Sequence, residues 1–365
     1  MNSIGVYIHI PFCKQKCPYC DFFSGSGSEI EYDRYVQATI KKIDYWAQLC
    51  DKQVSSIYFG GGTPSVIGTD RLCMLLDKIK SAFSVYDNAE VTCEMNPESA
   101  KKIDFFKVKS HGFNRISFGL QSAIERELNA LGRIHTAQDA KSAVEKAKEA
   151  GFDNISLDLM LGIPFQTEES LKESIRFCAE CRVTHVSSYL LKIEKGTLFY
   201  SNKEKLQLPD DDEQARLYML TVDELERYGY CQYEISNFAQ KGFEGRHNIN
   251  YWKCGEYIGI GPSAHSFFEG KRFYYGRSMQ DYYGRKIIDD GTGGDSEEYI
   301  MLALRLKEGL VFREYESRYG APIPPESMKK IKNFAKHGFM EVDEKHACFT
   351  KKGFLVSNSI ISDLI

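Results

Sequence analysis

A repeated order of strand-like run, loop and helix constrains the fold of this 365-residue chain more than any other feature. Helical patterns lie between the strand-like runs. Thr136 can cap one of these helices, with Asp139 near the capping-box position and Gly151 at the helix end. Strands that alternate with helices in this way predict βα units and a parallel sheet in an α/β fold. The strand-like runs occupy residues 6–10, 56–59, 90–93, 115–118, 155–161 and 185–190, with a weaker run at 232–235.

A loop rich in Gly, Pro or polar residues follows each of the first five runs. In a parallel barrel or an open parallel sheet, such loops all lie at the carboxyl ends of the strands, where ligands bind. The sequence therefore predicts one ligand site that several loops build together. The loops are residues 13–20, 60–64, 94–97, 119–121 and 162–164.

The pattern changes after about residue 238. Residues 240–295 are rich in Gly, Tyr and Phe and contain no long periodic helix. We expect a first domain at 1–236, a connecting region at 237–295 and a small α+β, winged-helix-like domain at 296–365. Within the last domain, the periodicity predicts helices at 297–306, 326–337 and 351–361, and a hairpin from 339–342 and 347–350.

Composition excludes several classes of protein. The net charge of −4 gives no electrostatic footprint for nucleic acid, and no run of 18 apolar residues suggests a membrane span. The first residues lack the basic segment and small-residue cleavage site of a secretory signal. Eleven cysteines, an odd number and mostly scattered, fit a reducing compartment better than a disulfide scaffold. We expect a cytoplasmic protein, with peripheral association with a membrane as an open alternative.

Three cysteines are packed into one short loop, as Cys13-x3-Cys17-x2-Cys20. A structural zinc ion needs four ligands, and His9 is an awkward fourth ligand because it lies within a predicted strand. A redox dithiol needs only two cysteines. A four-iron cluster held by three thiolates keeps one iron open, as a catalytic metal requires. The spacing therefore favours an iron–sulfur cluster over zinc, a dithiol or three unrelated thiols.

The cysteine loop resembles the motif of the radical S-adenosylmethionine (SAM) superfamily. Its flanking residues narrow the resemblance to the relatives of oxygen-independent coproporphyrinogen III oxidase. The resemblance implies a radical SAM partial (β/α) barrel with a winged-helix-like C-terminal domain, a [4Fe–4S] cluster on the three cysteines, and bound SAM. The residues that carry it are 7–13 (YIHIPFC), 60–65 (GGGTPS), 115–121 (RISFGLQ), 187–197 (SSYLLKIEKGT) and 233–238 (YEISNF).

Two features separate the oxidases from the HemW group of radical SAM-like heme chaperones. The resemblance to the oxidases would require a fourth cysteine two positions after Cys20, where this chain has Phe22, and a longer leader than the twelve residues before Cys13. Residues 246–252 (RHNINYW) instead resemble the HNxxYW motif of the HemW group, although Gly245 replaces a cysteine that many relatives carry. We therefore expect a heme chaperone, with the oxidase as the alternative.

The resemblance also implies which residues contact the cofactors. Arg133 can pair with the carboxylate of SAM, Asp158 can accept both ribose hydroxyls, and glycines without a Cβ let the main chain approach a ligand closely. His247 is the implied axial ligand of heme iron. No catalytic residue is assigned. The implied SAM contacts are Tyr7, Tyr19, Gly61, Gly62, Thr63, Glu94, Gln121, Arg133, Asp158 and Leu190.

The expected partners follow from the same resemblance. They are heme and a heme-accepting protein, which could itself be associated with a membrane. A flavodoxin or a ferredoxin would be a suitable electron donor. Nucleic acid is not expected as a partner, since the chain carries slightly more acidic than basic residues.

Overall fold

A computed structural model describes residues 3–365, and these residues form fifteen strands and sixteen α-helices. The strands are β1 (Ser3–Ile10), β2 (Gln53–Gly61), β3 (Val85–Met95), β4 (Arg115–Gln121), β5 (Asn154–Leu161), β6 (His185–Leu190), β7 (Cys231–Gln232), β8 (Asn237–Ala239), β9 (Tyr257–Ile260), β10 (His265–Phe268), β11 (Lys271–Tyr275), β12 (Ile287–Thr292), β13 (Leu310–Val311), β14 (Met340–Val342) and β15 (His346–Phe349).

The helices alternate with the strands through the first half of the chain and dominate its end. They are α1 (Glu29–Leu49), α2 (Thr69–Ala82), α3 (Pro97–Ala100), α4 (Phe105–His111), α5 (Glu125–Ala130), α6 (Ala137–Glu149), α7 (Glu168–Glu180), α8 (Leu198–Ser201), α9 (Asp211–Arg227), α10 (Arg246–Trp252), α11 (Met279–Tyr283), α12 (Ser296–Ala303), α13 (Phe312–Tyr319), α14 (Pro325–Lys336), α15 (Lys351–Leu355) and α16 (Ser357–Leu364).

The first six strands form a parallel partial barrel. Strands β1 to β6 are neighbours in chain order, and each pairs in parallel with the next. Strand β9 adds to β1 in parallel, and β10, β11 and β12 extend that edge as antiparallel neighbours. At the other edge β8 and β7 follow β6. The expected α/β fold with a partial (β/α) barrel is therefore confirmed.

The barrel strands separate an apolar outer face from a polar inner face. Successive residues of a strand point to opposite faces, so alternate positions share an environment. On β2, Ile57 and Phe59 are fully buried in the same core as Leu72 and Ile79 of α2. The alternate positions of the barrel strands instead carry Ser, Tyr, Glu, Arg, Asp and His. Tyr58 is the example on β2. The inside of the barrel is therefore lined for polar ligands.

Local capping fixes where the helices begin. The Thr136 hydroxyl accepts a hydrogen bond from the Asp139 main-chain N–H, and the Asp139 carboxylate accepts one from the Thr136 main-chain N–H, as the sequence predicts for α6. Helix α7 begins with the same arrangement at Thr167 and Ser170. The buried residues of α6 are Ala140, Ala143, Val144 and Ala147, which share one apolar face of the helix.

The C-terminal part contains a three-stranded antiparallel sheet, in the order β13-β15-β14, and several helices. The predicted hairpin is present as β14 and β15, but the single helix expected at 351–361 is wrong. Val356 leaves helical geometry (φ −110°, ψ 19°), which separates α15 from α16 and lets α16 contact α14. Among residues 3–365, no helix combines the length and the apolar content needed to span a lipid bilayer.

Two stretches fold differently from the expectations. The weak strand expected at 232–235 is short, ending at Gln232, and only Glu234 makes a further bridge, to Leu306. The region 240–295 contains four strands, β9 to β12, that extend the main sheet. Sequence periodicity did not reveal them because strands of four to six residues give only two or three alternations each.

Candidate functional site

The cysteine loop lies at the carboxyl end of β1 and is closed on itself by main-chain hydrogen bonds. The N–H of Cys13 donates to the carbonyl of Gly25 (2.8 Å), and the N–H of Gly25 donates back to Pro11 (3.0 Å). The N–H of Cys20 donates to the carbonyl of Cys17 (3.1 Å). All three thiols are free and partly exposed, so they remain accessible to a ligand.

The three thiols do not converge on one point. Within residues 3–365, no three His, Cys, Asp or Glu side chains are placed to hold a single metal ion. His9 is already occupied, because its Nδ1 lies 3.0 Å from Tyr7 Oη and its Nε2 lies 2.9 Å from the carbonyl of Phe23. A four-iron cluster takes each thiolate on a different iron, so three separate free thiols fit a cluster better than zinc.

The glycine loop after β2 packs against the first residues of the cysteine loop. The Gly62 N–H donates to the carbonyl of Ile10 (2.8 Å), and the Thr63 N–H donates to that of Phe12 (2.7 Å). A Cβ at Gly62 would lie only 2.6 Å from the Phe12 oxygen, and Gly61 has a φ of 105° that favours glycine. These glycines therefore allow close contact between two loops, as well as any approach of a ligand.

A chain of side-chain hydrogen bonds joins two of the cysteines. The Thr63 hydroxyl donates to Cys13 Sγ (3.5 Å), and Asn96 Nδ2 donates to Thr63 Oγ1 (3.0 Å). Arg133 donates from Nη2 to Asn96 Oδ1 (2.7 Å) and from Nη1 to Cys17 Sγ (3.4 Å). Thr63 and Arg133 are among the contacts that the resemblance implies, whereas Asn96 is a further member of the site.

Arg133 and Tyr19 lie on the same side of the cysteine loop. Arg133 has a further anchor, since its Nη2 donates to the carbonyl of Gly119 at 2.9 Å. Burial raises the pKa of Tyr19, and the charge of Arg133 partly opposes that rise. A Cβ at Gly119 would lie 2.9 Å from Asn96 Oδ1, so only glycine leaves room for this cluster of polar groups.

Two carboxyl groups lie inside the barrel. Tyr58 Oη donates to Glu94 Oε1 (2.7 Å), and Ser117 Oγ donates to Asp158 Oδ1 (2.9 Å). Burial is the main cause that raises the pKa of Glu94 to about 7; the nearby Asp158 acts in the same direction and the hydrogen bond from Tyr58 acts against it. Burial also raises the pKa of Asp158. Both groups can accept hydroxyl donors from a ligand in the barrel.

Gln121 has two unusual features that hydrogen bonding to a bound ligand would explain. It ends β4 with a φ of 67°, which is uncommon for a residue with a side chain, and its Oε1 is buried without a hydrogen-bond partner. An unsatisfied buried acceptor costs about 1–3 kcal/mol, so a donor from a bound molecule would relieve it. Leu190 at the end of β6 is 38% exposed, and Tyr7 lies on β1. These residues fit a polar ligand such as SAM.

His247, which the resemblance implies as the axial ligand of heme iron, lies in a closed, hydrogen-bonded environment. His247 lies on α10 with 1% of its surface exposed. Its Nδ1 is 2.8 Å from Ser56 Oγ and its Nε2 is 2.7 Å from Tyr251 Oη, while its ring stacks on Tyr58. Burial lowers its pKa to about 3, so the ring is neutral. An iron bond needs a free nitrogen lone pair, and both nitrogens already have partners.

Helix α10 is anchored closer to the amino ends of the barrel strands than the cysteine loop is. Glu90 accepts hydrogen bonds from the main-chain N–H groups of Arg246 (2.9 Å) and His247 (3.0 Å). Glu90 pairs with Ser56 near the middle of β2, whereas the cysteine loop follows the carboxyl end of β1. The motif residues at 246–252 therefore pack against the barrel near the middle of β2, and His247 adjoins the implied SAM contact Glu94 through Tyr58.

A cavity of about 480 Å³ opens beside Cys17 and Cys20. Three cationic side chains line it, from Lys16, Lys195 and Arg277. Pro18 and Leu198, which is 65% exposed, add apolar surface. Arg277 also pairs with Asp21 at 2.9 Å. The cavity thus offers positive charge and apolar surface next to the thiols, and no sequence pattern predicted it.

Comparisons with known proteins give a consistent result. The sequence matches the Radical SAM superfamily over residues 7–178 and the HemN C-terminal domain over residues 296–356. The heme chaperone HemW of Bacillus subtilis is 33% identical over 98% of this chain and 97% of its own length. Its counterparts in Haemophilus influenzae (40%, covering 88% of this chain and 87% of that protein) and Escherichia coli (41%, covering 73% and 70%) are also similar.

One solved structure is similar over the whole chain. It is coproporphyrinogen III oxidase (HemN) from Escherichia coli, a radical SAM enzyme, with a TM-score of 0.85. The similarity covers 100% of this chain and 90% of that chain, at 22% sequence identity. At that identity the likeness establishes the fold alone.

Proposed function

The chain belongs to the radical SAM superfamily and, within it, to the family of HemW heme chaperones, and from this premise we propose that it holds a [4Fe–4S] cluster and SAM, binds heme and passes heme to an acceptor protein. The observation that carries the cofactor half of the proposal is the hydrogen-bonded chain from Cys13 to Cys17. It brings the cysteine loop, the glycine loop and Arg133 to one end of the barrel.

Cys13, Cys17 and Cys20 would hold the cluster. When bound, a [4Fe–4S] cluster supplies one-electron chemistry at an iron that keeps an open coordination position. Arg133 is anchored on Gly119 and Asn96, so its guanidinium is already oriented for the carboxylate of SAM. A fixed guanidinium binds an anion with less loss of side-chain entropy than a mobile one.

The barrel interior would hold the nucleoside half of SAM. Glu94 and Asp158 offer carboxyl oxygens to the ribose hydroxyls, and each is held in place by a neighbouring hydroxyl group. Gln121 offers a buried amide oxygen that has no partner in the protein. These three groups can accept hydrogen bonds, and the hydroxyls of a ribose and the amino group of an adenine can donate them.

Heme would bind in the part of the cavity that a cluster on Cys17 and Cys20 leaves open. Heme is flat and apolar with two carboxylates, so its site should combine apolar surface with cations. In this cavity Pro18 and Leu198 supply apolar surface, and Lys16 and Lys195 supply positive charge. Its volume of about 480 Å³ lies within the range of ordinary small-molecule sites.

A heme titration tests this placement with one charge reversal and a matched control. Lys195→Glu puts a negative charge at the cavity, and Lys332→Glu makes the same change at an exposed position on α14. We expect Lys195→Glu to weaken heme binding about 5-fold or more, since it replaces an attraction to a propionate by a repulsion. Lys332→Glu should bind heme like the wild type. Equal affinity in all three proteins would refute the cavity as the heme site.

Transfer is tested separately by mixing the heme-loaded protein with apomyoglobin and following the Soret band. The proposed chaperone should release heme to this acceptor while its iron–sulfur content stays constant. A wild-type protein that binds no heme, or that retains heme in the presence of excess apomyoglobin, would contradict the chaperone function itself.

A further inference from the structure

We propose that Asn96 is a positioning residue for the cofactor site, and this inference rests on the proposed function. It lies between Thr63 and Arg133 and contacts both, and each of these two residues contacts one cysteine thiol. Asn96 therefore couples the cysteine loop to two side chains that would meet SAM. Its role would be to set the direction of the hydrogen bonds that reach the cluster thiolates.

The hydrogen bonds that link Thr63, Asn96 and Arg133 can run in only one direction from donor to acceptor. The guanidinium of Arg133 can only donate, so the Asn96 atom facing it must be the oxygen Oδ1. The amide nitrogen then faces Thr63 and donates to Oγ1. A threonine hydroxyl has a single proton, and with its oxygen accepting from Asn96 that proton is free for Cys13 Sγ. Asn96 thereby directs donors toward both Cys13 and Cys17.

The main chain around Asn96 keeps this side chain in place. Its carbonyl accepts hydrogen bonds from Ser99 (3.0 Å) and Ala100 (2.9 Å), which form the first turn of α3. Gly119 faces the amide, and a Cβ there would lie 2.9 Å from Asn96 Oδ1. A fixed backbone on one side and a glycine on the other leave space for an amide of this length. The longer side chain of glutamine would not fit the same two partners.

Hydrogen bonds to thiolate ligands change the properties of a cluster. A donor to sulfur stabilises negative charge, and a reduced cluster carries more negative charge than an oxidised one. The donors from Thr63 and Arg133 should therefore raise the reduction potential of the cluster. Asn96 would control both donors at once, although it touches no thiol itself.

Aspartate at position 96 separates this role from simple packing. A carboxylate has almost the same shape as the amide but can only accept. Asn96→Asp should keep Arg133 in place, but the Thr63 hydroxyl should turn from Cys13 to the new carboxylate. The cluster then loses one donor and gains a nearby negative charge. Both changes should move its reduction potential to more negative values.

Asn114 provides the matched control. Like Asn96, it is a half-buried amide with two partners. Its oxygen accepts from the Val91 N–H (2.8 Å) and its nitrogen donates to the carbonyl of Ala89 (2.7 Å). It ties β3 to the start of β4, at the end of these strands that is far from the cysteines. Asn114→Ala should lower stability and leave the cluster and SAM affinity unchanged.

The experiment compares anaerobically reconstituted wild type, Asn96→Asp, Asn96→Ala and Asn114→Ala. For each protein it measures iron and sulfide content, the reduction potential by spectroscopic titration, and the dissociation constant for SAM. We expect Asn96→Asp to load a full cluster with a more negative potential. Asn96→Ala should bind SAM about 10-fold more weakly, in line with the loss of other groups that orient a metal site.

The outcomes are distinguishable. If Asn96→Asp loads its cluster and has the wild-type potential and SAM affinity, Asn96 is not a positioning residue and the proposed function stands. If Asn114→Ala shifts the potential as much as Asn96→Asp does, the effect is general destabilisation and the inference is wrong. If the wild type itself assembles no cluster, both the proposed function and this inference are overturned. Should Asn96→Ala fail to fold, Asn96→Asp carries the test.

Discussion

His247 Nε2 lies 2.7 Å from the hydroxyl of Tyr251, one helical turn further along α10. The other ring nitrogen is 2.8 Å from Ser56, so the first and fifth residues of the motif HNxxYW are tied to each other and to β2. The motif thus contributes to the wall of the barrel. In this arrangement its histidine is a hydrogen-bonding residue of the core, with no nitrogen left for iron.

His247→Ala should therefore destabilise the protein and leave heme affinity nearly unchanged. Loss of the ring leaves the buried Ser56 hydroxyl without its partner, and such an unpaired group costs about 1–3 kcal/mol. Denaturant unfolding and a heme titration of the folded variant test this. Tyr251→Phe is the milder control, because it removes only the hydroxyl. A normal free energy of unfolding together with a lost Soret band would restore His247 as the heme ligand.

Glu94 should make stability fall as the pH rises. Its pKa in the folded protein is about 7, above its ordinary value of 4.5, so the folded state binds more protons than the unfolded state between these values. Stability then decreases from about pH 4.5 to pH 7, by up to about 3 kcal/mol from this group. Glu94→Gln should remove that part of the slope in denaturant unfolding measured at pH 5 and pH 8.

Glu234 is the control for the same experiment. Burial raises its pKa to about 7 as well, but it lies beside the C-terminal part, bridging to Leu306. Glu234→Gln should reduce the pH slope of stability like Glu94→Gln, yet only Glu94→Gln should weaken SAM binding. If Glu94→Gln and the wild type have the same slope, Glu94 is ionised normally in the folded protein.

Gly119→Ala should disturb the site without touching any cofactor directly. The added methyl would lie 2.9 Å from both Asn96 Oδ1 and Gln121 Nε2, and overpacking of this kind costs about 1–3 kcal/mol. Gly25→Ala is a matched control in the cysteine loop, since a Cβ there has no atom within 4 Å. SAM affinity and thermal unfolding should change for Gly119→Ala alone, and equal effects of both variants would contradict the assigned role of Gly119.

Oxidative decarboxylation of coproporphyrinogen III should be absent. Phe22 stands where the resemblance to the oxidases requires a fourth cysteine, and its side chain is 66% exposed beside the cysteine loop. The assay is anaerobic incubation of the reconstituted protein with substrate, SAM and a reductant, followed by porphyrin analysis. Substantial conversion to protoporphyrinogen would replace the chaperone by the oxidase.

The sequence was sufficient to predict the six barrel strands, their parallel sheet and the position of the cysteine loop. Six strand-like runs identify β1 to β6, and a distinctive loop after each of the first five marks the carboxyl ends of β1 to β5. Capping residues such as Thr136 and Thr167 also fix helix starts locally, without help from distant parts of the chain. These features depend on neighbouring residues, which is why they can be read from the sequence.

The arrangement of side chains within the site depends on contacts between segments that are distant in the sequence. Asn96 contacts Thr63 and Arg133, which lie 33 and 37 residues away, and no spacing rule connects them. His247 contacts Ser56, which is 191 residues away in the sequence, so the burial of His247 could not be predicted from its neighbours along the chain. One signal was present but unused: Tyr58 and the other polar residues recur at alternate strand positions, which indicates a polar interior.

Iron and acid-labile sulfide per chain, measured in anaerobically reconstituted wild type and Cys17→Ser, decide whether the three cysteines hold an iron–sulfur cluster. Cys17 is free, partly exposed and 3.4 Å from Arg133, so its sulfur is available to ligate a cluster, and its loss should prevent stable assembly. We predict about four irons and four sulfides per wild-type chain, and loss of the brown chromophore in Cys17→Ser. Stoichiometric zinc without sulfide in protein purified free of oxygen would contradict the account.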